Sequence, residues 1–138
     1  MRVLFDTDII LDVFLKRTPF VEAAAALWRA NEQGQIEGYV SAITPVNLFY
    51  VARKLKGVKT ARRAVAELVD AFRVCPVERM ILQDALALLL SDFEDAVQHA
   101  AAVASRLDVI VTRDLADYAG ATLPVVSPAD FLKQLPTQ

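Results

Sequence analysis

The chain is poor in the residues that build disulfides and zinc sites, with one cysteine, Cys75, and one histidine, His99, in 138 residues. A single cysteine cannot form an internal disulfide, which fits a reducing compartment. One sulfur and one imidazole also match zinc poorly, because zinc prefers nitrogen and sulfur ligands. These absences exclude an internal disulfide and argue against a zinc enzyme.

Long apolar runs are also lacking. The longest of them are too short to cross a bilayer, and no basic segment at the N-terminus leads into an apolar stretch with a cleavage site. Since 55% of the residues are hydrophobic and only 23% are charged, the composition indicates a globular protein that can bury a core. We therefore expect one cytoplasmic domain, residues 1–138, without membrane contact.

Acidic residues are missing from one part of the chain and basic residues are scarce in another, although the net charge is only −2. Residues 53–63 contain six arginines and lysines and no acid, whereas residues 84–117 contain seven acids and two arginines. A basic surface can hold phosphates, while an acidic cluster repels them unless it binds cations. Taken alone, a basic run is more typical of a solvated helix face than of a binding site.

Short apolar strands alternate with longer helical segments along the chain. Strands are expected near residues 3–5, 36–40, 72–77, 109–112 and 123–126. Helices are expected over residues 9–15, 19–33, 45–56, 60–71, 80–90 and 92–104, with a turn at 115–118 and a last helix from 128. Thr18 and Ser91 are candidate helix caps, the latter in a capping box with Glu94. This alternation predicts an α/β fold with three layers, α/β/α, and a mostly parallel sheet of four to five strands.

Carboxylates follow two of these strands directly. Asp6 and Asp8 come after the first strand, and Asp114 and Asp117 come after the fourth. The carboxyl ends of parallel strands meet at one edge, where ligands of open α/β sheets bind. If the chain stays extended to residue 8, the first two side chains point to the same side; alternatively, one of them only caps the next helix. Such a cluster suits Mg²⁺ or Mn²⁺.

Four segments, residues 5–12, 41–47, 92–102 and 111–118, resemble the PIN-domain ribonucleases in order and spacing, and in particular the VapC-like toxins. The resemblance implies a PIN-like fold and a metal-dependent endoribonuclease whose ligands are Asp6, Asp95 and Asp114, with Asp117 nearby. It further implies that Thr112 helps to hold the cluster. RNA substrate, a cognate antitoxin and a homodimer are the partners that it implies.

One position departs from the family pattern, because Asn47 stands where the family commonly has a glutamate. An amide can ligate a metal through its oxygen but brings no charge, so Asp8 or Glu94 is left to compensate. Arg113 either contacts substrate phosphate or faces solvent. For His99, a local pair with Asp95 on the same helix face is favoured over a role as general base.

Three hypotheses follow. The leading one is an Mg²⁺- or Mn²⁺-dependent endoribonuclease, the toxin of a two-gene pair. The second, motivated by Asn47, is a PIN-like scaffold that binds RNA or protein without cutting. The third is a phosphatase of the haloacid dehalogenase type with Asp6 as nucleophile and Asp8 as acid, disfavoured because Ile9 and Ile10 replace the small or hydroxyl residues expected there.

Overall fold

The computed structural model of the chain describes residues 1–90 and 92–136. In chain order the elements are β1 (Arg2–Phe5), α1 (Thr7–Phe14), α2 (Val21–Glu32), β2 (Glu37–Ser41), α3 (Ile43–Lys56), α4 (Val58–Ala71), β3 (Arg73–Cys75), α5 (Arg79–Ala87), α6 (Phe93–Ala104), β4 (Val109–Val111), a 3-10 turn (Leu115–Tyr118), β5 (Val125–Val126) and α7 (Pro128–Lys133). No helix in the described part of the chain is both long and apolar enough to span a membrane.

The five strands form one parallel sheet in the order β3-β2-β1-β4-β5. Side chains of β1 alternate between the two faces of this sheet. Val3 and Phe5 join a hydrophobic cluster that also contains buried residues of α1 to α4, whereas Leu4 joins a second cluster with residues of α5 and α6. Helices therefore cover both faces, and the predicted three-layer α/β/α fold is confirmed.

Several predicted boundaries were wrong for local reasons. Helix α1 begins at Thr7, so the chain does not stay extended to Asp8. Helix α2 begins at Val21 instead of Pro19, because residues 17–20 form a turn in which the Val21 N–H donates to the Arg17 carbonyl at 2.8 Å. Helix α5 ends at Ala87, where Leu88 adopts extended backbone.

The capping box predicted at the start of α6 begins at Ser91, which lies outside the described residues. The residue at the N-cap is Asp92, whose Oδ1 accepts from the Asp95 N–H at 3.1 Å and so satisfies one free donor of the first turn. At the other end of the chain, Ser127 caps α7, with Oγ accepting from the Asp130 N–H.

A side-chain clip fixes α2 against the start of β2 and the end of α4. Asn31 Oδ1 accepts from the Gly38 N–H at 2.8 Å, and its Nδ2 donates to the Ala71 carbonyl at 2.9 Å. A Cβ atom on Gly38 would lie 2.7 Å from the Asn31 amide and 2.8 Å from the Phe72 ring. Glycine is required here because the neighbouring side chains occupy the space of a Cβ.

We expect Gly38→Ala to lower the free energy of unfolding by about 1–3 kcal/mol, since the methyl group overpacks this contact. Urea denaturation of Gly38→Ala, Asn31→Ala and the double variant measures the coupling. Because Asn31→Ala removes part of the clash, the double variant should be more stable than the sum of the two losses predicts, by at least about 0.5 kcal/mol. Strict additivity would contradict the overpacking argument.

Candidate metal centre

Three carboxylates converge at the carboxyl edge of the sheet. One oxygen each of Asp6, Asp8 and Asp114 lies within 4.8 Å of the others, and we call these three residues the carboxylate cluster. Pairing of Phe5 with Val111 aligns the ends of β1 and β4, and the Asp6 N–H continues the ladder to the Val111 carbonyl at 3.0 Å. The first turn of α1 then brings Asp8 to the same place.

The Asp6 carboxylate is almost fully buried and is held by two donors. Thr112 Oγ1 donates to Oδ2 at 2.6 Å, and Gln98 Nε2 donates to Oδ1 at 2.9 Å. Burial raises the pKa of Asp6, and these hydrogen bonds oppose the rise. Thr112 Oγ1 also accepts from the Asp114 N–H at 3.1 Å, so a single hydroxyl fixes both sides of the cluster.

Asp114 lies beside a second carboxyl group, that of Asp8. Interaction with the Asp8 carboxyl group, followed by burial, raises the pKa of Asp114. The edge of the sheet thus brings three acidic groups to one point.

Asp95 and Asp117 flank the cluster without belonging to it. Asp95 lies in the first turn of α6, where burial, followed by the charges of Asp6, Asp92 and Asp117, raises the pKa of Asp95 to about 7. The Tyr118 hydroxyl donates a hydrogen bond to Asp95 and partly opposes this rise. Of the predicted ligands Asp6, Asp95 and Asp114, the first and third thus meet directly, and Asp95 interacts through its charge with Asp6.

Gln98 joins these groups and was not among the predicted site residues. Besides Asp6, its Nε2 donates to the Tyr118 hydroxyl at 3.1 Å. Its Oε1 accepts from the Thr7 N–H and hydroxyl at 3.3 and 3.2 Å, and from the Thr44 hydroxyl at 3.4 Å. The spacing of Gln98 three residues after Asp95, on the same face of α6, could have indicated it.

Asn47 lies beside a carboxylate from another helix. Its Nδ2 donates to Glu94 Oε1 at 2.9 Å, and both residues line a cleft of about 300 Å³ together with Asp8 and Tyr50. The amide on α3 thus holds in place a carboxylate that comes from α6.

The Arg113 guanidinium packs against Asp12 and Phe20 instead of lying free in solvent, and its contact with substrate phosphate stays a prediction. Nε binds the fully buried Asp12 at 2.9 Å, and the group lies 4.1 Å from the centre of the Phe20 ring. Arg17 approaches the same carboxylate at 3.7 Å. Asp12 is a second residue that the pattern did not reveal, since its partner lies 101 positions away.

The favoured pair of His99 with Asp95 was also wrong. His99 is buried, its Nε2 accepts from the Thr122 N–H at 2.9 Å, and its Nδ1 has no hydrogen-bond partner among the described residues. Burial lowers the pKa of His99. This histidine stabilises the loop before β5 and takes no part in the cluster.

The family model described as PIN domain matches residues 2–116 of the chain. The chain belongs to the PIN-domain family. Among curated proteins no relative matches at a significant level.

Solved structures of other PIN proteins share the fold over almost the whole chain. A toxin-antitoxin complex from Klebsiella pneumoniae is 28% identical, with a TM-score of 0.68 and coverage of 91% of this chain and 97% of that one. DNA-bound VapBC from Salmonella typhimurium is 16% identical, with a TM-score of 0.73 and coverage of 93% and 98%. VapC20 from Mycobacterium tuberculosis, a sarcin-ricin loop cleaving toxin, is 16% identical, with a TM-score of 0.69 and coverage of 87% and 96%. The suspected likeness to VapC-like PIN proteins is confirmed.

Because Gln98 donates a hydrogen bond to Asp6, we expect a substitution that removes this donor to destabilise the PIN domain even when the size of the side chain is kept. Gln98→Leu leaves Asp6 Oδ1 without its donor, and Gln98→Glu places a carboxylate there at equal size. Both should lower the free energy of unfolding at neutral pH by at least about 2 kcal/mol, because a buried charged acceptor loses its partner.

Chemical denaturation measures the effect, and Gln83→Leu on the exposed side of α5 is the matched control, expected within about 0.5 kcal/mol of the parent. A Gln98→Glu variant as stable as the parent at neutral pH would contradict the assigned donor role.

Proposed function

We propose that this PIN protein is an Mg²⁺- or Mn²⁺-dependent endoribonuclease that hydrolyses RNA phosphodiester bonds. The observation that carries the proposal is the convergence of Asp6, Asp8 and Asp114 within 4.8 Å at the carboxyl edge of the sheet. PIN membership supports nuclease chemistry in general, and the cluster supplies the groups that such chemistry needs.

The donor set fits a hard divalent cation. It consists of carboxylate oxygens, which Mg²⁺ and Mn²⁺ prefer. Burial raises the pKa of Asp6 and Asp95, and the neighbouring Asp8 carboxyl group raises that of Asp114, so a bound cation would stabilise the ionised form of each. When bound, the cation would supply a Lewis acid that stabilises charge on a phosphate oxygen and makes water more acidic. Thr112 and Gln98 fix the orientation of the Asp6 carboxylate by donating to its two oxygens.

We assign the metal to Asp6, Asp95 and Asp114, with Asp117 nearby and Asp8 as an added ligand. Glu94 provides the carboxylate that Asn47 lacks, because Asn47 holds it at the edge of the cleft that contains Asp8. This arrangement weakens the reason for the scaffold hypothesis, which rested on Asn47. The phosphatase hypothesis loses support as well, since Asp8 lies in the first turn of a helix in a PIN domain.

We also propose that the protein is the cytoplasmic toxin of a toxin-antitoxin pair. Structures of VapBC and other toxin-antitoxin complexes are similar to it in fold. Exposed apolar side chains on α5, in the segment after it and at the start of α6 fit a homodimer, because Leu82, Leu86, Leu89 and Phe93 are 42%, 72%, 97% and 51% exposed.

Asp6→Asn should lower RNA cleavage in Mn²⁺ by at least about a hundredfold and weaken Mn²⁺ binding in calorimetry, since it removes a charged ligand. A chelator should abolish cleavage by the parent. Asp70→Asn, on the exposed face of α4, is the matched control and should cleave within about twofold of the parent. Undiminished cleavage by Asp6→Asn, or in chelator, would refute the proposed metal dependence.

Stability without metal should fall as the pH rises through about 7. The pKa of Asp95 is about 7 in the folded protein against an ordinary value of 3.8, so the folded state binds more protons between these values. The stabilisation that Asp95 contributes is complete below its ordinary pKa of 3.8 and is lost as the pH rises through its folded pKa of about 7. The lowered pKa of His99 acts oppositely, but only below its ordinary 6.5.

Thermal unfolding in chelator between about pH 5 and 8 tests this, because the contribution of Asp95 falls up to about pH 7 and is constant above it, and Asp95→Asn, which retains His99, should flatten the curve. Mn²⁺ should raise the melting temperature of the parent most at the alkaline end, because the cation then meets ionised ligands. A parent curve as flat as that of Asp95→Asn would contradict the assignment.

A further inference from the structure

The turn between α3 and α4 carries a dense group of cations. Six of them lie in residues 53–63, which we call the basic hairpin: Arg53, Lys54, Lys56, Lys59, Arg62 and Arg63. All six are exposed, and none forms an ion pair with any residue that the structure describes. In a chain with a net charge of −2, this is a concentrated positive surface without compensation.

Helix stability explains only half of these charges. Arg53, Lys54 and Lys56 occupy the last turn of α3, where cations interact favourably with the helix dipole. Lys59 lies in the first turn of α4, where cations are unfavourable, and that turn contains no acid and no side-chain cap. Arg62 and Arg63 follow one turn later. Lys59 is therefore unfavourable for its own helix terminus, and Arg62 and Arg63 gain nothing from it. With no ion pair to a described residue, these three cations remain available to an anionic ligand.

The basic hairpin lies on the same side of the sheet as the carboxylate cluster. Helix α4 leads into the parallel strand β3, so it runs back along the sheet and begins at the carboxyl edge. Tyr50 connects the two surfaces: it lines the cleft that contains Asp8, and the Arg53 guanidinium lies 5.7 Å from the centre of its ring. Positions 47, 50 and 54 are neighbours on one face of α3.

The ring of Tyr50 is suited to stacking on a nucleobase. Its side chain is 59% exposed, beside cations that can hold phosphates. Unpaired bases stack on such aromatic groups, whereas bases in a duplex are covered by their neighbours. The carboxylate cluster repels a polyanion, so a substrate needs cations close to the cluster to remain bound.

We infer that the basic hairpin binds the phosphates of single-stranded RNA and that Tyr50 stacks on one of its bases, so that the strand enters the carboxylate cluster along α3. The inference rests on the proposed function and specifies its substrate as unpaired RNA. It assigns binding, and not chemistry, to these residues.

The test uses the Asp6→Asn protein, which leaves RNA uncut, and a fluorescein-labelled single-stranded RNA of about 20 nucleotides. The hairpin variant carries Arg53→Gln, Lys56→Gln and Arg62→Gln. The control variant carries Arg29→Gln, Arg73→Gln and Lys133→Gln, which remove the same residue types from the end of α2, the start of β3 and the end of α7. Fluorescence anisotropy over a series of salt concentrations gives affinity and salt dependence.

The hairpin variant should bind at least about tenfold more weakly, and the slope of log K against log salt should decrease in size by about 2, or about 0.7 for each lost phosphate contact. The control should change affinity by less than about twofold. Tyr50→Ala should weaken binding by about fivefold or more without changing the slope, because stacking releases no counterions, and Tyr50→Phe should retain it.

Equal losses in the hairpin and control variants, or no loss in either, would overturn the inference. So would a hairpin variant that light scattering finds monomeric where the parent is dimeric, because the surface would then serve contact between copies. Cleavage by the parent separates this inference from the proposed function. If the parent binds RNA through the hairpin but leaves it intact in Mn²⁺, the nuclease proposal is refuted and the binding surface is supported. If the hairpin variant of the active protein cleaves RNA as fast as the parent does, the binding surface is refuted and the nuclease proposal is supported.

Discussion

Repulsion between carboxylates at the edge of a buried sheet is the constraint on which the rest of the site depends. Asp6 cannot move away from Asp8 and Asp114, because it continues the ladder between two central strands. Bringing like charges together in a buried place costs free energy unless protons or cations neutralise them. The raised pKa values of Asp6, Asp95 and Asp114 reflect that cost. A fold that retains such a cluster is poised to bind cations.

The polar network around Gln98 makes this arrangement compatible with a stable core. Its amide is fully buried and joins β1, α1, α3 and α6 through Asp6, Thr7 and Thr44. Because buried polar groups without partners are costly, each member of the network holds the others in place. Stability and the geometry of the site are thus properties of the same hydrogen bonds, and a change in Gln98 affects both.

The sequence was informative about periodicity and strand ends, and less so about partners distant in the chain. Alternating strands and helices predicted the parallel three-layer fold, and the positions after β1 and β4 indicated Asp6 and Asp114. The helical position of Asp8 was missed because Thr7 starts the helix at once. Contacts such as Asp12 with Arg113, or Gln98 with Asp6, join residues 101 and 92 positions apart and leave no local pattern. His99 was misassigned for the same reason, since Thr122 and not its helical neighbour is its partner.

The segregation of charge along the chain has a physical reason if both surfaces act on one substrate. A carboxylate cluster that holds a cation still repels the phosphates on either side of the one being cut, because each of those phosphates remains fully charged. Cations placed beside the cluster would form ion pairs with its carboxylates and compete with the metal ion. Cations one or two helical turns away attract the strand and leave the carboxylates free to bind the metal. The basic hairpin satisfies this condition, since Tyr50 and Asn47 lie between it and Asp8. Separation of the basic hairpin from the carboxylate cluster is therefore a requirement of the chemistry proposed for the site.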